Sequence, residues 1–166
     1  DIVILSIAPK SFTADSYEST YLQTAKNLVQ VLPPATVKQI IYTGSYSVYG
    51  DKNGAWVDEE SLLTPADRNG RELTKIFNRA FGATRSGNGE TYTNWIHLDD
   101  IVSAIAFAAE QQLDGIYNLV GDEPPLSRDL LQNLCDRYNL PQVSWNPALP
   151  DRPFNARVSN RKIKTA

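Results

Sequence analysis

Gln39-Ile40-Ile41-Tyr42-Thr43-Gly44-Ser45-Tyr46-Ser47-Val48-Tyr49-Gly50 decides the fold class, because an apolar run passes directly into a hydroxyl-rich turn punctuated by glycine. The run from Val37 to Tyr42 is short, with a β-branched centre, and reads as a strand covered on both faces. Thr43, Ser45, Ser47 and two tyrosines crowd its exit. In open α/β sheets, ligands bind outside the carboxyl ends of the strands. The same residue types also favour turns for purely backbone reasons, so the stretch alone leaves both readings open.

Working outward, Ile2 to Ile7 is a second apolar run, ended by Ala8-Pro9, and reads as a buried strand. Tyr17 to Val31 carries Tyr21, Ala25, Leu28 and Val31 at helical spacing, and Pro33-Pro34 stops it. The unit is β-α-β, with a crossover long enough for parallel strands. After a loop from Asp51 to Gly70, Glu72 to Phe81 predicts a helix with Leu73, Ile76, Phe77 and Ala80 on one side. Gly87-Asn88-Gly89 signals a turn, and Tyr92 to Leu98 predicts a strand centred on Trp95 and Ile96. Asp99 or Asp100 is placed to cap a helix from Ile101 to Gln111, apolar nearly all round and so expected to be buried. Gly115 to Val120 predicts another strand. Ser127 is expected to cap a helix through Tyr138 with a stripe of Leu130, Leu131, Leu134 and Tyr138, and Val143 to Trp145 reads as a short strand. The expected class is α/β, a largely parallel sheet flanked by helices.

The 166 residues fit one domain on the usual scale of roughly 100 to 200 residues. Its 42% hydrophobic and 21% charged content is that of a globular protein. A net charge of −3 gives no electrostatic case for nucleic acid or an anionic membrane. Arg152, Arg157, Arg161, Lys162 and Lys164 form a basic stretch with one aromatic, Phe154, among them, which in an acidic chain reads as a solvated or phosphate-contacting segment. The single cysteine, Cys135, excludes an intrachain disulfide and reads as a small buried apolar residue. The longest apolar helical stretch, Ile101 to Ala109, is far short of the roughly 20 residues of a membrane span. With no signal or lipidation motif, a cytoplasmic location is expected.

Tyr42-Thr43-Gly44-Ser45-Tyr46-Ser47-Val48-Tyr49-Gly50, followed by Trp56-Val57-Asp58-Glu59, resembles the "S-S-x-x-V-Y-G" signature of extended short-chain dehydrogenases/reductases, the NAD(P)-dependent epimerase/dehydratase family. Asn94-Trp95-Ile96-His97-Leu98-Asp99-Asp100-Ile101 is similar to that family's "R-I-H-V-D-D-[IV]" segment, and Gly115-Ile116-Tyr117-Asn118-Leu119-Val120 to its "G-x-Y-N-[LV]" strand. The matches span most of the chain and point to atypical members of the family. The resemblance implies a Rossmann-like fold, NAD or NADP as cofactor and hydride chemistry on a nucleotide-sugar or similar small carbonyl or hydroxyl compound. By motif position the catalytic hydroxyl falls on Ser45. Thr43 and Gly44 would lie near the nicotinamide, and Ala8 and Pro9 near the adenosine side. Tyr46, Ser47, Tyr49, Asn94 and His97 would line the substrate side. His97 otherwise holds local structure; as the sole histidine it forms no histidine-cluster metal site, and no metal is expected. Relatives often dimerise, so a homodimer is expected.

Two departures limit these expectations. The family binds the dinucleotide pyrophosphate at a G-x-x-G-x-x-G turn after its first strand, where backbone N–H groups and a helix N-terminus receive it. No such turn occurs here, so residues 1–82 resemble only the carboxyl half of the nucleotide-binding region, and residues 91–166 the remaining strands and a small substrate-side region. The expectation is therefore one α/β domain lacking the glycine-rich amino-terminal βαβ half, an incomplete copy of a longer chain. The family's proton donor is a Tyr-x-x-x-Lys dyad about 20 residues after the Val-Tyr-Gly, one helical turn in spacing so that both side chains share a face. Arg68-Asn69-Gly70-Arg71-Glu72-Leu73 stands there instead. Two functions follow: an NAD(P)-binding oxidoreductase or epimerase-like protein, or a non-catalytic Rossmann-like module for ligand sensing or protein association.

Overall fold

The computed structural model describes residues 1–10, 14–32, 36–64, 81–151 and 155–166. β1 (Ile2–Leu5) and β2 (Gln39–Tyr42) pair in parallel, Ile2 opposite Gln39 and Leu5 opposite Tyr42. Between them run α1 (Ala14–Tyr17), a π-helical turn (Glu18–Leu22) and α2 (Gln23–Val31). The β-α-β unit read from the sequence is present. Tyr21 meets Tyr42 edge to face, ring centroids 6.2 Å apart, which seats the crossover on the sheet.

The strand pair is less covered than its sequence suggests. Side chains alternate across the pleat, and Ile2, Ile4, Ile40 and Tyr42 are each between 45% and 55% exposed. Opposite Tyr21's face lies α3 (Leu98–Glu110), tied to β2 where the Gln39 carboxamide donates to the carbonyls of Ala108 and Leu113, both at 3.0 Å. Each described helix shields part of one face only. For the same reason α3, apolar nearly all round, leaves Leu98 and Val102 largely in solvent. No helix among the described residues is long and apolar enough to cross a membrane.

Two further parallel ladders are present among the described residues. β3 (Trp56–Val57) pairs with β6 (Arg157–Val158), and β4 (Thr84–Ser86) with β5 (Ser144–Asn146); α4 spans Ser127–Tyr138. α5 (Arg161–Lys164) follows β6. The helix expected from Glu72 falls on residues 65–80, outside the described residues.

Four further expectations are corrected. The strands expected at Tyr92 to Leu98 and Gly115 to Val120 are extended but irregular, because side chains take the place of a ladder: Asn155 accepts from the Tyr92 N–H, Glu59 from the Asn118 N–H, and Asn160 donates to the Val120 carbonyl. One backbone bond, from Gly121 to the Trp95 carbonyl at 2.6 Å, joins the two segments. His97, rather than Asp99 or Asp100, caps α3, its Nδ1 accepting from the Asp99 N–H at 3.3 Å. Ser127 is the first residue of α4 rather than its cap: it is buried, and its hydroxyl donates to the Thr91 carbonyl at 2.9 Å.

The core joins Tyr49, Val57, Val120, Ala156 and Val158, with Tyr46 packed against it. Of the stripe expected on α4, Leu131 is buried and Leu130 and Leu134 are partly buried, but Tyr138, in the last turn, is 61% exposed; the buried face runs through Leu131 and Cys135 instead. β3 and β6 are thus the floor on which the turn after β2 rests.

Candidate functional site

Because β1 and β2 are parallel, both exits open at the same edge of the sheet. The Thr43 N–H extends the ladder to the Leu5 carbonyl at 3.0 Å, so the chains that lead on to Ala8-Pro9 and to Gly44-Ser45 leave the sheet as neighbours. The five residues that sequence reasoning assigned to catalysis and cofactor are therefore brought to one edge.

Ser45 then turns the chain. Extended at φ −111° and ψ 140°, it caps a 3₁₀ turn (Tyr46–Tyr49): its Oγ accepts from the Ser47 N–H at 3.2 Å and donates to Ser47 Oγ at 3.0 Å. The hydroxyl is exposed, and of its one proton and two lone pairs the turn engages the proton and one pair. Gly50 ends the turn at φ +68°, where a side chain would land on the Thr64 carbonyl oxygen. The glycine of Val-Tyr-Gly is thus demanded by both its backbone angle and the return of the 51–64 loop. Thr64 Oγ1 locks that return by donating to the Tyr49 carbonyl at 2.9 Å and accepting from Lys52 Nζ at 2.9 Å.

The substrate-side candidates divide. Tyr46 and Ser47 are half-buried within the turn itself. Tyr49 is 3% exposed and sits in the core, its hydroxyl donating to Asn118 Oδ1 at 2.9 Å. Burial raises its pKa above the ordinary phenol value; the Asn118 bond works against this, and the nearby Glu59 and Asp58 carboxylates add to it. Asn94 bridges backbone, donating to the Ala156 carbonyl at 2.9 Å and accepting from the Val158 N–H at 2.8 Å. His97 stands exposed at the head of α3, 3.5 Å from Asp99 Oδ2.

Sequence reasoning gave no role to Glu59 or Asn118. Glu59 Oε1 accepts from the Asn118 N–H at 2.7 Å, so one carboxylate and one carboxamide tie the loop after β3 to the turn after β2. The carboxamide Nδ2 of Asn118 is buried and lacks a partner among the described residues. The signal lay in the pairing of Trp-Val-Asp-Glu with Tyr-Asn, two segments 59 residues apart in the chain.

A dinucleotide needs backbone N–H groups around its pyrophosphate. The turn after β1 offers Ser6-Ile7-Ala8-Pro9-Lys10, without glycine and with one N–H lost to proline. These residues can form a wall beside a nucleotide but do not fit a pyrophosphate cradle.

No family model matches the chain. It is 27% identical to protein YeeZ of Escherichia coli K12 over 151 residues, 75% of this chain and 54% of that protein. It is 41% identical to epimerase family protein Mb2239 of Mycobacterium bovis over 92 residues, 55% of this chain and 30% of that protein. The chain thus spans about half the length of YeeZ and less of the other. Among solved structures, UDP-glucuronic acid 4-epimerase from Bacillus cereus, in complex with NAD, superposes with a TM-score of 0.74 at 15% identity, covering 99% of this chain and 67% of that one. That likeness establishes the Rossmann-like α/β fold.

Proposed function

We propose that this chain, a member of the NAD(P)-dependent epimerase/dehydratase-like family, forms the substrate-facing part of an NAD(P)-binding protein that acts on a hydroxyl or carbonyl of a nucleotide-sugar or similar small molecule. The observation that carries the reading is the position of Ser45: an exposed hydroxyl at the mouth of a parallel strand pair, held by a turn whose far end is anchored in the core. When bound, NAD(P) would supply hydride transfer. The residues after β1 do not fit its pyrophosphate.

What this chain's residues would do is bind and orient. A substrate oxygen arriving at Ser45 replaces Ser47 Oγ as acceptor of the Ser45 proton, while the Ser47 N–H keeps Ser45 Oγ in place. Such a donor stabilises negative charge developing on that oxygen. Thr43 and Gly44 form the neighbouring wall, and Tyr46 and Ser47 the substrate-side lip. Tyr49 and Asn94 act through position, by fixing the turn and β6.

A second reading, a non-catalytic ligand-binding module, is favoured by the absence of Tyr-x-x-x-Lys from the sequence after Gly50. Fluorescence titration of the native protein with NADH and NADPH, and separately addition of UDP-glucose to the protein with NAD+ or NADP+ as hydride acceptor, test the proposal. Binding of a reduced cofactor together with substrate-dependent oxidation or reduction supports it; sugar binding without redox turnover supports the module, and binding of none of these overturns both.

A further inference from the structure

Away from the β2 exit, a cleft of about 440 Å³ opens between the first turns of α3, the segment from Leu119 to Asp122 and α5. Its volume lies within the range of roughly 300–1,000 Å³ typical of small-molecule sites. Ile96, Ala104, Leu119 and Ile163 give it an apolar floor. The polar groups gather at the rim.

There the charges are unequal. Asp122 is satisfied, accepting from Asn160 Nδ2 at 2.8 Å and pairing with Lys164. Lys164 is thereby engaged, and Asn160 also holds the Val120 carbonyl. Asp100, on the opposite wall, has neither a hydrogen bond nor an ion pair among the described residues. The cleft therefore carries two carboxylates against one ammonium, and the free charge is Asp100. Lys162 fixes the α5 wall from behind, donating to the Ile116 carbonyl at 2.8 Å with its Nζ 4.6 Å from the Tyr117 ring centroid.

From this arrangement we infer that the cleft is a second ligand site, selective for a small molecule with a flat or branched apolar body and a primary ammonium group. The body lies on the Ile96–Ala104–Leu119–Ile163 floor, and the ammonium pairs with Asp100. A neutral molecule of the same shape loses the charge-assisted bond, and an anion is repelled by the exposed Asp100 carboxylate in the first turn of α3.

Tryptamine is a suitable probe, with tryptophol as its neutral isostere and indole-3-propionate as the anion, titrated into the isotopically labelled chain and followed by amide chemical shifts. Tryptamine should saturate at about 1 mM or below, with shifts at Ala104, Gly121 and Ile163. Tryptophol should bind roughly two- to fivefold more weakly, the size of effect one exposed ion pair gives. In Asp100→Asn, an exposed substitution that leaves the amide spectrum dispersed, tryptamine and tryptophol should become equal. Ala104→Phe, which fills the floor, should abolish binding of both. Equal affinities for the two in the unaltered chain overturn the inference. So do a preference unchanged by Asp100→Asn, shifts confined to other residues, and a lack of saturation up to about 10 mM.

Discussion

The Tyr49 hydroxyl donates a 2.9 Å hydrogen bond to the Asn118 carboxamide across 69 residues of sequence. It joins the turn that carries Ser45 to the segment that builds the far side of the core, and Glu59 completes the link by accepting from the Asn118 N–H. Tyr49→Phe keeps the ring but leaves Asn118 Oδ1 without the Tyr49 donor. The expected loss is about 1 kcal/mol, a fall in Tm of roughly 2–4 °C for a chain of this size. Calorimetry of the two proteins checks it, and unchanged stability would remove Tyr49 as the anchor of the turn.

The same phenol gives a pH dependence of known sign. Its folded-state pKa is raised above 10.0, mainly by burial, so the folded protein holds the proton more tightly than the unfolded chain. The contribution is complete below pH 10 and is lost as pH rises through the folded value. Denaturant midpoints should therefore fall on alkaline titration above pH 10, and fall less steeply in Tyr49→Phe.

Gly50→Ala should cost more. The site demands φ +68° and places a new methyl group against the Thr64 carbonyl, so backbone strain and collision add. A loss of about 1–3 kcal/mol is expected from the strained backbone alone. Urea unfolding measures it; a loss below half a kcal/mol would show that the 51–64 loop yields freely.

The β-α-β unit, the parallel sense of its strands and α4 were legible, because each rests on local periodicity and breakers: Ile40-Ile41, Pro33-Pro34, and the Leu131–Cys135 spacing. The two-residue ladder of β3 and β6 was not legible. Trp56-Val57 and Arg157-Val158 carry no periodic pattern; they pair because distant residues set them side by side. Arg157 lies between the Trp56 and Tyr92 rings, at 5.1 and 4.9 Å from their centroids, and such a clamp has no one-dimensional signature. The irregular stretches at 93–97 and 116–121 were read as strands because extended chain bonded to Asn and Glu side chains shows the same apolar alternation as a ladder. At the site, the exposed Ser45 followed the motif, whereas the inward direction of Tyr49 depends on Asn118 and could not be read from Val-Tyr-Gly alone.

Asn94 tests that last point from the other side. Its carboxamide serves the Ala156 carbonyl and the Val158 N–H at once. Asn94→Ala leaves these two backbone groups without that partner and should cost about 1–3 kcal/mol for each that stays unsatisfied. Asn94→Asp keeps the acceptor but sets a carboxylate against the Ala156 carbonyl, so it should be no milder. Chemical denaturation of both variants decides; a neutral Asn94→Asp would show that the Ala156 bond contributes nothing.

Asp122 sets an acid limit on α5. Hydrogen bonds from Lys164 and then Asn160, together with the Lys164 charge, hold its pKa below 3.8. The stabilising contribution is present above that value and disappears as pH falls through the lower folded one. Protection factors of the Lys164 and Thr165 amides should fall on acidification below pH 3.8, and Asp122→Asn should show low protection already at neutral pH. Equal protection in both proteins would detach α5 from this ion pair.

Steady-state turnover of the native protein against its Ser45→Ala variant, with NAD(P) and a UDP-sugar, addresses the central claim most directly. Loss of a hydroxyl that stabilises the reacting oxygen should lower kcat by about 10²-fold or more, with cofactor affinity unchanged. Turnover of the native protein that survives Ser45→Ala intact would contradict the account.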